Sequence, residues 1–155
     1  MRGGEAILFY FITLLVVLLD QATKYWVRAN LGLYEIVTWR GMEFKHIENS
    51  GMAGGWLEGY ARLFGMAAVI FVIIVFYLRY KGGMRGVLLD CSFGFLVGGA
   101  VGNGMDRLLF GQVTDFIVRS GGVLNVADHA IEAGIALFAI HAAAKGLKSL
   151  KRRTT

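Results

Sequence analysis

Four long apolar runs, separated by short polar stretches, dominate the chain. A spanning helix rises 1.5 Å per residue and needs about 20 residues to cross a hydrocarbon core of roughly 30 Å. Residues 6–27, 61–80, 86–105 and 126–144 meet that count. The fourth is burdened at its start by Asp128, His129 and Glu132. Between the first two runs, over about 33–58, the pattern changes. Residues 34–39 and 42–48 are rich in β-branched and aromatic side chains and flank Arg40-Gly41, which predicts a small hairpin lying on the membrane. A second extended piece is expected over 113–118, with a turn at Gly121-Gly122 before the chain re-enters the bilayer. The expected fold is an all-α membrane protein of four transmembrane helices with a small β element, a single integral membrane domain over residues 1–155.

Composition agrees with lipid as the solvent: 56% of the 155 residues are hydrophobic and only 17% are charged. Proline is absent and 22 residues are glycine, which suits continuous helices that pack closely. The net charge of +5 does not point to nucleic acid, because the basic residues sit in short clusters between the apolar runs. Arg2, then Arg79, Lys81 and Arg85, then Lys145, Lys148, Lys151, Arg152 and Arg153 all fall on one side, which the positive-inside rule assigns to the cytoplasm. Both termini are therefore expected inside, and the stretches 28–60 and 106–125, which hold nearly every acidic residue, outside. The first run lacks a small-x-small cleavage site and is expected to remain as a span. Cys91 is the only cysteine, which excludes an intramolecular disulfide and a thiolate metal cluster.

Ionisable residues beside lipid need a reason. Asp20 and Lys24 are four apart near the outer end of the first span, so they share a helix face and can pair, as an interfacial ion pair that snorkels. Gly94, Gly98 and Gly102 repeat every fourth residue, which leaves one face of the third span bare for close helix approach. Asn103, Asp106 and Arg107 follow, with Asp106 and Arg107 most simply an electrostatic anchor. Asp115 stands in an apolar stretch and Asp128 at the outer start of the fourth span. One such aspartate would be explained by hydrogen bonds to backbone or to Arg107. Two that converge favour function: they cannot both ionise cheaply, so one keeps a proton while the other activates water. Competing chemistries are poorly supported. There is no H-E-x-x-H, His129 with Glu132 offers at most two metal ligands, no G-x-S-x-G is present, and Ser50 with Lys24 has no further support as a serine-lysine pair. No metal and no cofactor is expected.

Five blocks together resemble the lipoprotein signal peptidases, also called signal peptidase II: Leu19-Asp20-Gln21-Ala22-Thr23-Lys24, Asn49-Ser50-Gly51-Met52-Ala53, Gly98-Gly99-Ala100-Val101-Gly102-Asn103 with Asp106-Arg107, Gly111-Gln112-Val113-Thr114-Asp115-Phe116, and Asn125-Val126-Ala127-Asp128. The resemblance covers most of the chain. It implies a bacterial inner-membrane aspartic endopeptidase with a β-cradle on the outer leaflet and a catalytic dyad of Asp115 and Asp128. It further implies that Asp20, Lys24, Asn49, Gly51, Asn103, Asp106, Arg107, Asn125 and Ala127 surround that dyad and the substrate. The implied substrate is a prolipoprotein whose lipobox cysteine carries diacylglycerol, cleaved just before that cysteine, and the implied inhibitor is the cyclic peptide globomycin.

The chain departs from the family pattern at Gly54, where an aromatic is usual, at Gly104 and Met105, which are usually bulkier, and at Leu124, in place of a common phenylalanine. These changes are expected to loosen the pocket wall. Glu132, one turn beyond Asp128, adds an unusual charge that favours a proton on the dyad. Two other classes fit parts of the sequence. An ion-coupled carrier would need a relay across the membrane, for which Asp90 is the one candidate beyond the outer acids, and an inverted repeat, which is not visible. A scaffold binding partner helices through the glycine face leaves the outer carboxylates unexplained.

Overall fold

The four apolar runs form helices α1 (Gly3–Asn30), α2 (Ala61–Tyr80), α3 (Val87–Leu109) and α4 (Val126–Thr154). Strands β1 (Ile36–Trp39) and β2 (Met42–Asn49) lie between α1 and α2, and β3 (Val113–Arg119) and β4 (Gly122–Leu124) lie between α3 and α4. The structure is a computed structural model that describes residues 3–51 and 56–154, with side chains over 7–51 and 56–147. Arg2, Met52, Ala53 and Gly54, and the side chains of Lys148, Lys151, Arg152 and Arg153, lie outside the described residues.

Each helix contains a segment long and apolar enough to cross a membrane: Ile7–Asn30, Ala61–Tyr80, Val87–Leu109 and Val126–Leu147. Helix α3 runs past the apolar run of residues 86–105 to Leu109. Its polar end stays helical because Asn103 and Asp106 point into the protein and are bonded there. Helix α4 also overruns its apolar stretch, because its basic end is built of alanine, leucine and lysine, which favour helix.

Helix α3 touches each of the other three, and glycine makes this possible. A Cβ on Gly94 would lie 2.9 Å from the Ile12 Cβ, and one on Gly98 would lie 2.7 Å from the Val16 Cβ. The bare face proposed from the four-residue spacing is therefore the α1 contact. Gly99 and Gly134 bring α3 and α4 together, where added methyls would meet the Ala127 carbonyl at 2.5 Å and the Ser92 carbonyl at 2.8 Å. Phe9, Val75, Phe93 and Val97 form one buried cluster in this bundle, and Ile12, Val16 and Ala130 a second. The outward faces of α1 and α2 remain apolar and exposed, as at Leu14, Leu18, Ile70 and Ile73. In water such faces would be costly, whereas lipid tails cover them.

The β element is larger than a hairpin. All four strands form one antiparallel sheet in the order β1-β2-β3-β4. The turn at residues 121 and 122 leads into β4, which pairs with β3 through Ile117↔Leu124, Val118↔Val123 and Arg119↔Gly122, and only then does the chain enter α4. Strand β2 joins the two hairpins, with Ile47↔Asp115, Glu48↔Thr114 and Asn49↔Val113 in register. Between Phe44 and Ile47 the register shifts, a bulge that turns His46 inward. Phe116 packs with Val27 and Leu31, which seats the sheet on the end of α1.

Candidate active site

The polar residues of α1, α3 and the start of α4 meet at the end of the bundle that carries the sheet. Lys24 is fully buried and spends all three ammonium donors: on Asp20 Oδ2 at 2.8 Å, Asp106 Oδ2 at 3.0 Å and Asn103 Oδ1 at 2.8 Å. The Asp20–Lys24 pair forms as its four-residue spacing suggests, but it is buried and does not snorkel. The first run supplies a polar cluster to the interior because α3 offers the partners. Asp106 pairs with Lys24 and, at 3.5 Å, with Arg28. Arg107 is thus not its partner, since successive helical side chains point in different directions. The Arg107 guanidinium instead donates to the Gly51 carbonyl at 3.2 Å, and its Nε has no hydrogen-bond partner among the described residues.

The start of α4 is fixed by reciprocal capping. The Asp128 amide donates to Asn125 Oδ1 at 3.0 Å, and the Asn125 amide donates to Asp128 Oδ2 at 3.2 Å, the geometry of a capping box. One turn is enough to tie these two side chains together, and this signal is readable in Asn125-Val126-Ala127-Asp128. Asp20 adds to the cap by accepting from the Ala127 amide at 2.9 Å. The close approach of α3 leaves Asp20 against Gly102, where a side chain would collide with it.

Two asparagines then connect the two aspartates from the sequence analysis. Asn125 Nδ2 donates to Asp115 Oδ1 at 2.6 Å and to Asn103 Oδ1 at 3.1 Å. Asn103 Nδ2 donates to Asp128 Oδ1 at 2.8 Å. Asn49, from the neighbouring strand, donates to Asp115 Oδ2 at 3.0 Å and accepts from the Gly51 amide at 2.9 Å. Asp115, Asp128, Asp20, Lys24, Asn49, Gly51, Asn103, Asp106, Arg107, Asn125 and Ala127 therefore all belong to one bonded assembly. The Asp115 carboxyl is pushed up from 3.8 to about 6. Burial is the main cause; the bonds from Asn49 and Asn125 and the Lys24 charge oppose it, while the negative charge of Asp128 adds to it.

Asp115 opens onto a cleft of about 490 Å³ lined also by Tyr34, Ile47, Asn49, Ser50 and Val123, a volume in the range of small-molecule and peptide sites. Three of the unusual positions stand apart from it. Gly104 and Met105 line an apolar groove between α2 and α3, and a Cβ on Gly104 would meet Ala68 at 3.2 Å. Leu124 pairs with Ile117 inside the sheet. The glycine at 104 thus serves helix packing and not a looser cleft wall. Glu132 is engaged by Arg119 at 2.9 Å. His129 Nδ1 meets the Asn125 carbonyl at 2.8 Å, so this histidine belongs to the first turn of α4.

Sequence reasoning missed the second ring of partners: Gln21, which donates to the Gly102 carbonyl at 3.1 Å, and Arg28, Glu48, His46 and Thr114. Asp20, Lys24 and Arg28 recur every fourth residue, so the stripe was available from spacing alone. The strand residues gave no such sign, because their partners come from a pairing that only folding establishes.

With this arrangement in hand, comparison with known proteins decides the family. The family model described as signal peptidase (SPase) II matches residues 12–144. The chain belongs to the signal peptidase II family. A lipoprotein signal peptidase of Listeria welshimeri is 34% identical over 140 residues, covering 86% of this chain and 91% of that protein. One from Shouchella clausii is 34% identical over 150 residues, covering 94% and 98%. A solved bacterial membrane enzyme superposes with a TM-score of 0.84 at 26% identity, over 92% of this chain and 90% of its own. As a signal peptidase II, the protein is a membrane peptidase that removes signal peptides from prolipoproteins.

Proposed function

We propose that Asp115 and Asp128 are the catalytic dyad of this peptidase, that its substrates are precursors whose lipobox cysteine already carries diacylglycerol, and that cleavage falls just before that cysteine at the outer face of the inner membrane. The observation that carries this reading is the pair of asparagines between the carboxylates, Asn125 on Asp115 at 2.6 Å and Asn103 on Asp128 at 2.8 Å. Each carboxylate oxygen accepts one of these bonds and retains a second lone pair, and the amides hold the two groups without neutralising either. The positive charges of Lys24 and Arg28 are committed to Asp20 and Asp106, so neither cancels the dyad outright.

The chemistry follows from one shared proton. The ionised carboxylate accepts a proton from water as it attacks the scissile carbonyl, and the protonated partner donates a hydrogen bond to the developing oxyanion. The first group then returns the proton to the leaving amine. The titration belongs to the pair. Arg107 donates to the Gly51 carbonyl, its Nε has no hydrogen-bond partner among the described residues, and its role in this reading is to hold substrate main chain. The basic loops face the cytoplasm together with both termini, and globomycin competes for the same cleft.

Asp115→Asn and Asp128→Asn each keep one of the two amide-to-oxygen contacts, set an NH2 against the other donor, and remove the shared proton chemistry. Both variants are expected to lose processing of a diacylglyceryl-modified precursor by at least about 10³-fold while remaining folded. Wild-type turnover should be blocked by globomycin. Normal cleavage by either variant removes the dyad from the mechanism.

A further inference from the structure

Behind β3 lies a second chain of polar contacts that the dyad chemistry does not use. Arg28 Nη1 donates to Thr114 Oγ1 at 3.0 Å, and Thr114 Oγ1 donates to Glu48 Oε1 at 2.8 Å. The same Glu48 oxygen meets His46 Nε2 at 2.9 Å, and His46 Nδ1 meets the Leu31 carbonyl at 2.9 Å. Arg28 is itself steadied by Asp106 at 3.5 Å and by the Phe110 ring, whose centroid lies 4.8 Å from the guanidinium carbon. The Thr114 amide also points at Asp106 Oδ2, at 3.5 Å. Thr114 is wholly buried, and its hydroxyl is used both as acceptor and as donor.

Thr114 and Asp115 are consecutive in a strand, so their side chains leave opposite faces. Whatever clamps the Thr114 side chain sets the depth and pleat of the backbone from which Asp115 projects. The clamp closes from three elements: α1 through Arg28, β2 through Glu48 and α3 through Asp106. Glu48 and Thr114 are also paired in register, directly between the Ile47↔Asp115 and Asn49↔Val113 pairs. The bond between them therefore fixes the strand spacing at the point where Asn49 reaches Asp115. The bulge at His46 lets the imidazole tie Glu48 back to the end of α1.

We propose that Arg28 and Glu48, acting through the Thr114 hydroxyl, are positioning residues that aim Asp115 at its partner carboxylate. The inference rests on the dyad reading above. Lys24, Asp128 and Arg107 act on the Asp115 charge from outside the clamp, while Glu48 of the clamp lines the same cleft as Asp115; Thr114→Val therefore loosens the clamp without removing a charge, whereas Arg28→Met removes one.

The test uses the purified full chain and a diacylglyceryl-modified precursor, with kcat, KM, the pH profile of kcat and thermal stability measured together. Thr114→Val, which keeps shape and removes the hydroxyl, should lower kcat about tenfold or more with KM little changed. The acidic limb of its kcat profile should move to higher pH, because weaker bonds from Asn49 and Asn125 favour the protonated carboxyl. Thr114→Ser should restore both. Arg28→Met should behave like Thr114→Val, and the double variant should lose no more than the worse single, as expected for one connected device. The inference is overturned if Thr114→Val, stable or not, keeps the wild-type pH limb, or if the Arg28 and Thr114 losses multiply independently. Asp115→Asn run in parallel separates the two readings: its turnover would overturn the dyad, whereas an inactive Asp115→Asn beside a fully active Thr114→Val overturns only the positioning role.

Discussion

Lys24 shows how a single residue sets the electrostatics of the site. A lysine with no exposed surface survives only when its charge and donors are all met, and two carboxylates and one amide do so. Lys24→Met would leave Asp20 and Asp106 buried with Arg28 as the remaining cation. A loss of about 3–5 kcal/mol in unfolding stability is expected, readable as a lowered thermal midpoint in detergent, and Asp20→Asn added to it should recover part of that loss. Asp115 presents the opposite case. Burial pushes its carboxyl up to about 6 in the folded protein, against 3.8 as the ordinary value. A raised carboxyl favours the folded state fully below the ordinary value and loses that advantage as pH climbs through the folded one. Wild type should therefore gain stability relative to Asp115→Asn as pH falls from 7 towards 4, by on the order of 2 kcal/mol.

At the scale of elements, α3 is the axis of the protein and its glycines set how near the others come. Gly98→Ala would place a methyl 2.7 Å from the Val16 Cβ and 3.1 Å from the Thr13 carbonyl. Overpacking of that kind costs about 1–3 kcal/mol, and the displaced α1 would carry Asp20 and Lys24 with it, so precursor cleavage should fall together with stability. Gly146→Ala is the matched control: it lies in α4, no atom of the described residues comes within 4 Å of its would-be Cβ, and alanine there should be neutral or stabilising by up to about 1 kcal/mol. Equal losses from the two substitutions would show that glycine content, and not the α1 contact, matters. The sheet contributes differently. Its β2–β3 pairing brings Asn49 to Asp115 across 66 positions of sequence, a contact that neither strand can specify alone.

The whole molecule is polar at both ends of α3 and apolar between. Asp90 is buried and forms an ion pair with Arg79 at 2.6 Å, and Arg79 also lies over the Phe9 ring at 4.0 Å. Asp90 and Asp106 are separated by about 24 Å along the helix axis. Among the described residues, Phe93, Val97 and the glycines of α3 are buried in the stretch between them. Asp90 is thus a clamp between α2 and α3 and not a step in an ion relay. The proposed orientation puts the sheet outside and the α2–α3 turn in the cytoplasm. In a Cys91→Ala background, Glu43→Cys should react with an impermeant maleimide added to intact spheroplasts, and Gly83→Cys only after permeabilisation. The reverse pattern would invert the topology.

Much of this was legible because its physics is local. The spans follow from runs of apolar residues long enough for a bilayer, the α1 contact of α3 from glycines at every fourth position, the Asp20–Lys24 pair from a single helical turn, and the family from five ordered blocks. What folding alone decided is long-range. The place of β3 between β2 and β4, the exchange of Asp106 from Arg107 to Lys24, the engagement of Glu132 by Arg119 and the packing role of Gly104 all depend on which surfaces meet once the helices are docked. Spacing within a segment determines which side chains share a face. Only tertiary packing determines what stands opposite that face, and in a water-excluding site the opposite partner sets charge, proton and aim.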